Sequence, residues 1–310
     1  MAHQSEIPLN RIFLWSCPRS LSTAFEKCVT HMEGAMVWHE PYTSIYFNRV
    51  FQNPETFVKF PRMKAFVSQF QKAVKMFDSV KDQYEGGNLE RAENFTYEYI
   101  KEQLEKPLDE GEKFLLIKDM AFGIDGNYGL LPKGPFRHTF LIRHPNRTSL
   151  SGRKLLANIY DYEGDLDKFV EMQKGHPFMS WDMLSVDPLF NLYKYVKENI
   201  DPNPVVIDAD DLQNHPDKIL KKYCESVGIP WDDKYLTWNA SDEFLKYMHG
   251  AVEQIIWGKN QGVYERAFES TQFFPSDGKP PIEIPEVCRM YADEFREGYK
   301  VMYENRLKPE

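Results

Sequence analysis

The stretch RIFLWSCPRSLSTAFEKC, Arg11 to Cys28, decides the fold. Residues 11–16 form a short apolar run of β-formers, the pattern of a strand buried on both faces. From Ser22 to His31 the spacing of Phe25, Cys28 and Val29 is helical. Between them lies a loop of small hydroxyls around a single arginine. A helix that starts where a buried strand ends presents unpaired N–H groups and the positive end of its dipole, and so attracts an oxyanion. Arg19 adds a planar set of charged donors, and Ser20, Ser22 and Thr23 add hydroxyls. The same serines also read as helix caps, with Arg19 then a solvated surface residue. Gly-Lys-Ser/Thr is absent, which argues against ATP held with magnesium.

Outward from this unit, residues 35–38 give a second strand that stops at His39-Glu40-Pro41. Residues 113–118, 137–143 and 204–208 give three more. Helical patterns fall at 149–160, 167–173, 188–199, 216–227 and 286–304. The chain from 42 to 108 is helical in flavour and rich in aromatics: Tyr46, Phe47, Phe51, Phe57, Phe60, Phe66, Phe70 and Phe77. Alternation of strands and helices implies an α/β three-layer sandwich with a mostly parallel central sheet. We expect one domain over residues 1–310, with 42–108 as an aromatic-rich helical insertion. Residues 257–262 read as a loop that can close over a ligand, Lys259 reaching toward it, and 275–285 as a surface loop.

The composition, 42% hydrophobic and 27% charged over 310 residues, is that of a globular protein. A net charge of -9 argues against a nucleic-acid partner, so an anionic ligand must meet local positive charge. The four cysteines show no paired or metal-ligand spacing, and His176, His215 and His249 lack it too; no metal site is expected. Neither a signal pattern nor a membrane-length apolar run is visible, which leads us to expect a cytoplasmic protein without membrane contact.

A second constellation repeats the layout of the first. In FLIRHPNRTSLSGRKL, Phe140 to Leu155, a buried strand ends at Arg143, a proline turn follows, and Ser151 lies eight residues later on a helix. An arginine at a strand exit and a serine beyond it can hold a second phosphate. An ion pair and a surface serine are the plainer alternatives.

With both constellations in hand, the chain resembles the sulfotransferases that use 3′-phosphoadenosine 5′-phosphosulfate (PAPS), a family with a P-loop-like fold. Pro18, Arg19, Ser20, Leu21, Ser22 and Thr23 match the family's loop for the 5′-phosphosulfate. Arg143 and Ser151 match its pair for the 3′-phosphate. VVIDADDLQNHPDKILKKYCESVGIP, Val205 to Pro230, matches its late strand, acidic turn and helix. Leu21 stands where the family usually has glycine, and no Arg-Lys-Gly segment occurs near the C-terminus. The first loop is closer to bacterial and Golgi-type members than to cytosolic ones.

The resemblance implies sulfuryl transfer from PAPS to a hydroxyl of a small-molecule acceptor, with adenosine 3′,5′-bisphosphate released. Such transfer needs a base and cations near the leaving oxygen. Glu40 is the first choice of base, with His39 its rival or helper, and Arg19 stabilises the breaking bond. Structural roles for Glu40 and His39 stay open, as do an inactive nucleotide-binding scaffold and a P-loop small-molecule kinase. Lys118, Asp119 and Met120 either line the acceptor site or form a surface ion pair. Asp210 and Asp211 read as helix caps. The aromatics from Tyr42 to Phe77, with Phe178 and Trp181, wall an acceptor pocket or simply fill the core.

Overall fold

The computed structural model describes residues 10–52, 72, 75, 88–173, 184–275 and 284–310. Strands β1 (Arg11–Ser16), β2 (Ala35–His39), β3 (Asn88–Glu90), β4 (Phe114–Met120), β5 (Phe136–Ile142), β6 (Val205–Asp208) and β7 (Met248–Ala251) form one sheet in the order β3-β7-β2-β4-β1-β5-β6. Every pairing is parallel. The helices are α1 (Ser22–Thr30), α2 (Pro41–Gln52), α3 (Tyr97–Glu105), α4 (Pro145–Ile159), α5 (Leu166–Gln173), α6 (Asp187–Asn199), α7 (Ala209–Asn214), α8 (Pro216–Val227), α9 (Val252–Asn260), α10 (Glu265–Glu269), α11 (Glu286–Glu294) and α12 (Arg296–Glu304).

The central strand shows why the layers form. Along β1 the side chains alternate between faces. Phe13 and Trp15 join one core with Phe140, Ile100, Leu104 and Leu189, while Ile12 and Leu14 join the other with Phe25, Val29, Leu220 and Tyr223. All of these are buried, so β1 is apolar throughout because helices cover both sides. The expected α/β sandwich with a mostly parallel sheet is the observed fold.

Register then gathers the strand exits. Ser16 pairs with Met120 on one side and Leu141 on the other, and His39 pairs with Lys118. The loops after β1, β2, β4 and β5 therefore leave one edge of the sheet together, where parallel sheets bind ligands.

Several boundaries differ from expectation. Helix α4 begins at Pro145, not 149, because proline suits the first helical turn and His144 Nδ1 accepts the Asn146 N–H at 3.2 Å as its cap. The edge strand β3 and its neighbour β7 are too short and too poor in β-formers to show in sequence, and β3 makes the 42–108 segment less than wholly helical. Residues 286–304 are two helices, divided at Phe295. Trp257 to Asn260 are helical, the last turn of α9, not loop. Asp208 caps α7, accepting the N–H groups of Asp210 and Asp211 at 2.9 and 3.2 Å. Asp210 and Asp211 instead pair with Arg147 and Arg306.

Phe57, Phe60, Phe66, Phe70, Phe77, His176, Phe178 and Trp181, with most of the 275–285 segment, lie outside the described residues. No described helix is long and apolar enough to cross a membrane.

Candidate active site

The loop between β1 and α1 is held by its own backbone. Arg19 and Leu21 both have positive φ, 68° and 71°. Leu21 is the residue before α1 and is left-handed, a conformation that costs a non-glycine residue about 1–2 kcal/mol. A left-handed shape that glycine would adopt without strain is thus held here by a leucine. Ser20 Oγ donates to the Cys17 carbonyl at 2.7 Å and closes the turn. With left-handed residues punctuating the loop, successive amides can line a concave anion seat.

The second exit touches the first. Arg19 Nε donates to Ser151 Oγ at 2.9 Å, and Arg143 Nη1 donates to the Arg19 carbonyl at 2.8 Å. Arg19 Nη1 also donates to the Val263 carbonyl at 3.1 Å. The loop, the Arg143–Ser151 pair and the segment after α9 meet around one cavity of about 500 Å³. Pro18, Arg19, Ser20, Leu21, Ser22, Thr23, Arg143, Ser151 and Glu40 all line it; His39 does not.

The charge of this cavity is unbalanced. Arg19, Arg143, Arg147 and Arg266 line it, against Glu40 and the exposed Glu269. Burial first, then repulsion from Arg266 and Arg143, holds the Arg19 guanidinium down to about 10, which leaves it cationic at neutral pH. Arg143 Nε is buried and has no hydrogen-bond partner among the described residues. Crowded cations with an unpartnered buried donor fit a ligand carrying more than one negative charge.

Glu40 also lines the cavity, at positive φ (48°) where β2 enters α2. Its N–H donates to the Lys118 carbonyl at 2.7 Å, and its carboxylate accepts from Lys118 Nζ through Oε1 and from Gln254 Nε2 through Oε2. Burial alone raises the Glu40 carboxyl, but Lys118 and His39 outweigh it and hold it below the ordinary range. It is therefore an ionised carboxylate at neutral pH, 6% exposed. Thr43, Phe47, Met120, Phe122 and Leu155 complete a mostly apolar wall. His39 lies behind this surface, 1% exposed, between Glu26 and the Tyr264 hydroxyl.

Lys118 and Asp119 are fully buried, so they form no surface ion pair. Asp119 caps α2, accepting the N–H groups of Tyr42 and Thr43 at 2.6 and 3.1 Å and the Thr43 hydroxyl at 2.7 Å. Lys259 pairs with Asp242 and does not line the cavity. Arg266, Gln254 and Tyr264 are cavity residues that sequence reading missed. Arg266 lies alone in an unmarked stretch, while Gln254 and Tyr264 flank the segment mistaken for loop.

Comparison with known proteins bears on the fold and the family. Residues 198–296 match the family model described as a sulfotransferase domain. Mouse sulfotransferase SULT7A1, solved with PAP, aligns over 96% of this chain and 90% of its own at 14% identity, with a TM-score of 0.50. The sulfotransferase domain of the curacin biosynthetic pathway aligns over 94% of this chain and 99% of its own, at 13% identity and a TM-score of 0.48. Among curated proteins, branched-chain-amino-acid aminotransferase-like protein 1 of Arabidopsis thaliana is 26% identical over 275 residues, 88% of this chain. The chain spans only 38% of that relative's length. The resemblance to sulfotransferases holds in the fold and in a family match that takes in the Val205–Pro230 stretch.

Proposed function

We propose that this protein transfers a sulfuryl group from PAPS to a hydroxyl of a small-molecule acceptor. The observation that carries the reading is the meeting of Arg19, Ser151 and Arg143 in one arginine-rich cavity that the ionised Glu40 also lines. When bound, PAPS supplies an activated sulfuryl group and a bisphosphate leaving group. The Pro18–Thr23 loop would hold its 5′ end and Arg143 with Ser151 its 3′-phosphate. Arg19, bonded to Ser151, belongs to both seats, and Arg266 adds charge from the facing wall.

Glu40 accepts the proton of the acceptor hydroxyl. Its lowered pKa keeps it ready as a base at neutral pH but weakens its proton affinity, so proton transfer accompanies departure of the leaving group. Lys118 limits the carboxylate to one orientation. Arg19 offsets the negative charge that grows on the leaving oxygen. The aromatic and aliphatic wall of Phe47, Phe122, Met120 and Leu155 suits an apolar alcohol or phenol.

The test is transfer of labelled sulfate from PAPS to a panel of alcohols and phenols, with ATP and magnesium as the contrasting donor. Transfer from PAPS without magnesium, lost in Glu40→Gln, supports the reading. Nucleotide binding with no transfer to any acceptor leaves the inactive scaffold. Phosphoryl transfer from ATP with magnesium would replace the reading by a kinase.

A further inference from the structure

Behind Glu40 a buried line of polar groups runs from the helix of the anion loop to the far wall of the cavity. His39 Nδ1 lies 2.8 Å from Glu26 Oε2, and His39 Nε2 lies 2.9 Å from the Tyr264 hydroxyl. The hydrogen bond to Glu26 favours the protonated imidazole, so Nδ1 carries hydrogen and donates to Glu26. The state of Nε2 then sets the direction of the phenolic proton. Facing a neutral imidazole, Tyr264 donates to Nε2. Facing an imidazolium, its oxygen accepts and its proton must go elsewhere.

The charged groups around His39 are Glu26 from α1, Glu40 with Oε1 4.0 Å from Nε2, and Lys118 from β4. Burial and Lys118 oppose protonation, but the two carboxylates outweigh them, and the imidazole is held above its ordinary value. Gln254, which donates to Glu40, is also within hydrogen-bond reach of the Tyr264 oxygen. Glu40 already accepts from Lys118 and Gln254, the Gln254 Oε1 already accepts from the Ser44 hydroxyl, and besides these and His39 no partner of the phenolic proton is found among the described residues. Tyr264 is 4% exposed and lines the cavity beside Glu40 and Arg266. Gly258 makes room for its ring: a Cβ there would lie 2.3 Å from Tyr264 Cε2.

We propose that Tyr264 is a further ligand-contacting residue, its hydroxyl proton turned into the cavity by His39 and Glu26 to donate to an oxygen of the transferred sulfuryl group. His39 and Glu26 are positioning residues. This rests on the sulfotransferase reading, and gives His39 a role that is not the base.

The experiment compares binding of PAPS and of adenosine 3′,5′-bisphosphate, which lacks the sulfuryl oxygens, to the full chain and to Tyr264→Phe and His39→Gln across pH 6 to 9. The wild type should bind both. Tyr264→Phe should lose about tenfold or more in affinity for PAPS, the value of a hydrogen bond to a charged group, with the bisphosphate unchanged. In the wild type that PAPS preference should fade as pH rises through the His39 titration, and in His39→Gln it should be small at every pH. Equal affinities of Tyr264→Phe and wild type for PAPS, or equal losses for both nucleotides, overturn the inference while leaving the sulfotransferase reading intact. Failure of the wild type to bind either nucleotide ends that reading and the inference with it.

Discussion

Arg19 and Ser151, 132 positions apart in sequence, are joined by a 2.9 Å hydrogen bond from Nε to Oγ. The two proposed anion seats are therefore one connected surface, with Arg19 reaching from the first loop to Ser151. Ser151→Ala should leave the fold unchanged, since the half-buried serine lines the open cavity and losing its hydroxyl leaves no void in the core, yet it frees Arg19 to move. We expect bisphosphate affinity to fall by roughly tenfold, the value of one charge-assisted hydrogen bond, with less than about 1 kcal/mol change in unfolding free energy. Calorimetric titration and denaturant unfolding measure the two.

Leu21 offers a test of the loop geometry. In an ordinary helical position alanine is more stable than glycine, but at φ 71° the Cβ is the penalty. Leu21→Gly should be more stable than Leu21→Ala by about 1 kcal/mol, although both lose the packing of the leucine. Equal or reversed stabilities in denaturant unfolding would mean that the loop relaxes out of the left-handed shape.

His138 should make the fold acid-sensitive. It accepts the Trp15 indole N–H at Nδ1 (2.9 Å) and burial pushes its imidazole down to about 4, from an ordinary 6.5. Between these values the unfolded chain takes up a proton that the folded chain refuses, so stability falls as pH drops from 6.5 to 4. The loss should reach about 3 kcal/mol and be absent in His138→Gln. Unfolding curves at a series of pH values compare the slopes.

Lys27, on α1, donates to the carbonyls of Ala267, Phe268 and Ser270 at 2.8, 3.1 and 3.1 Å. One buried ammonium thereby fastens the segment bearing Tyr264 and Arg266 to the helix of the anion loop. Lys27→Met should destabilise by about 2–4 kcal/mol, because buried carbonyls lose their donor, and should weaken nucleotide binding even under conditions where the variant is folded. Unaltered binding by folded Lys27→Met would show that this wall holds without the clamp.

Much of this was legible in the sequence for physical reasons. A strand buried on both faces leaves an unbroken apolar run, so β1, β4 and β5 stand out, and the two loops proposed to seat anions follow the exits of β1 and β5. What stayed hidden was set by distant partners. Lys118 looks like a surface charge until Glu40 is placed beside it. Met248–Ala251 becomes a strand only because β2 and β3 offer edges, and Trp257–Asn260, though it contains Gly258 and Gly262 follows soon after, is helical because α9 packs on the sheet. Leu21 is the instructive departure: the residue type differs from the family's glycine, yet the backbone conformation is the one glycine would adopt.

The central claim, that one nucleotide bridges both strand exits, is tested most directly by a thermodynamic cycle. Adenosine 3′,5′-bisphosphate and adenosine 5′-monophosphate are titrated into wild type and Arg143→Ala. If Arg143 holds the 3′-phosphate, removing the arginine or the phosphate should each weaken binding about tenfold or more, and removing both should cost little beyond either alone. Equal wild-type affinity for the two nucleotides, or losses that simply add, would contradict it.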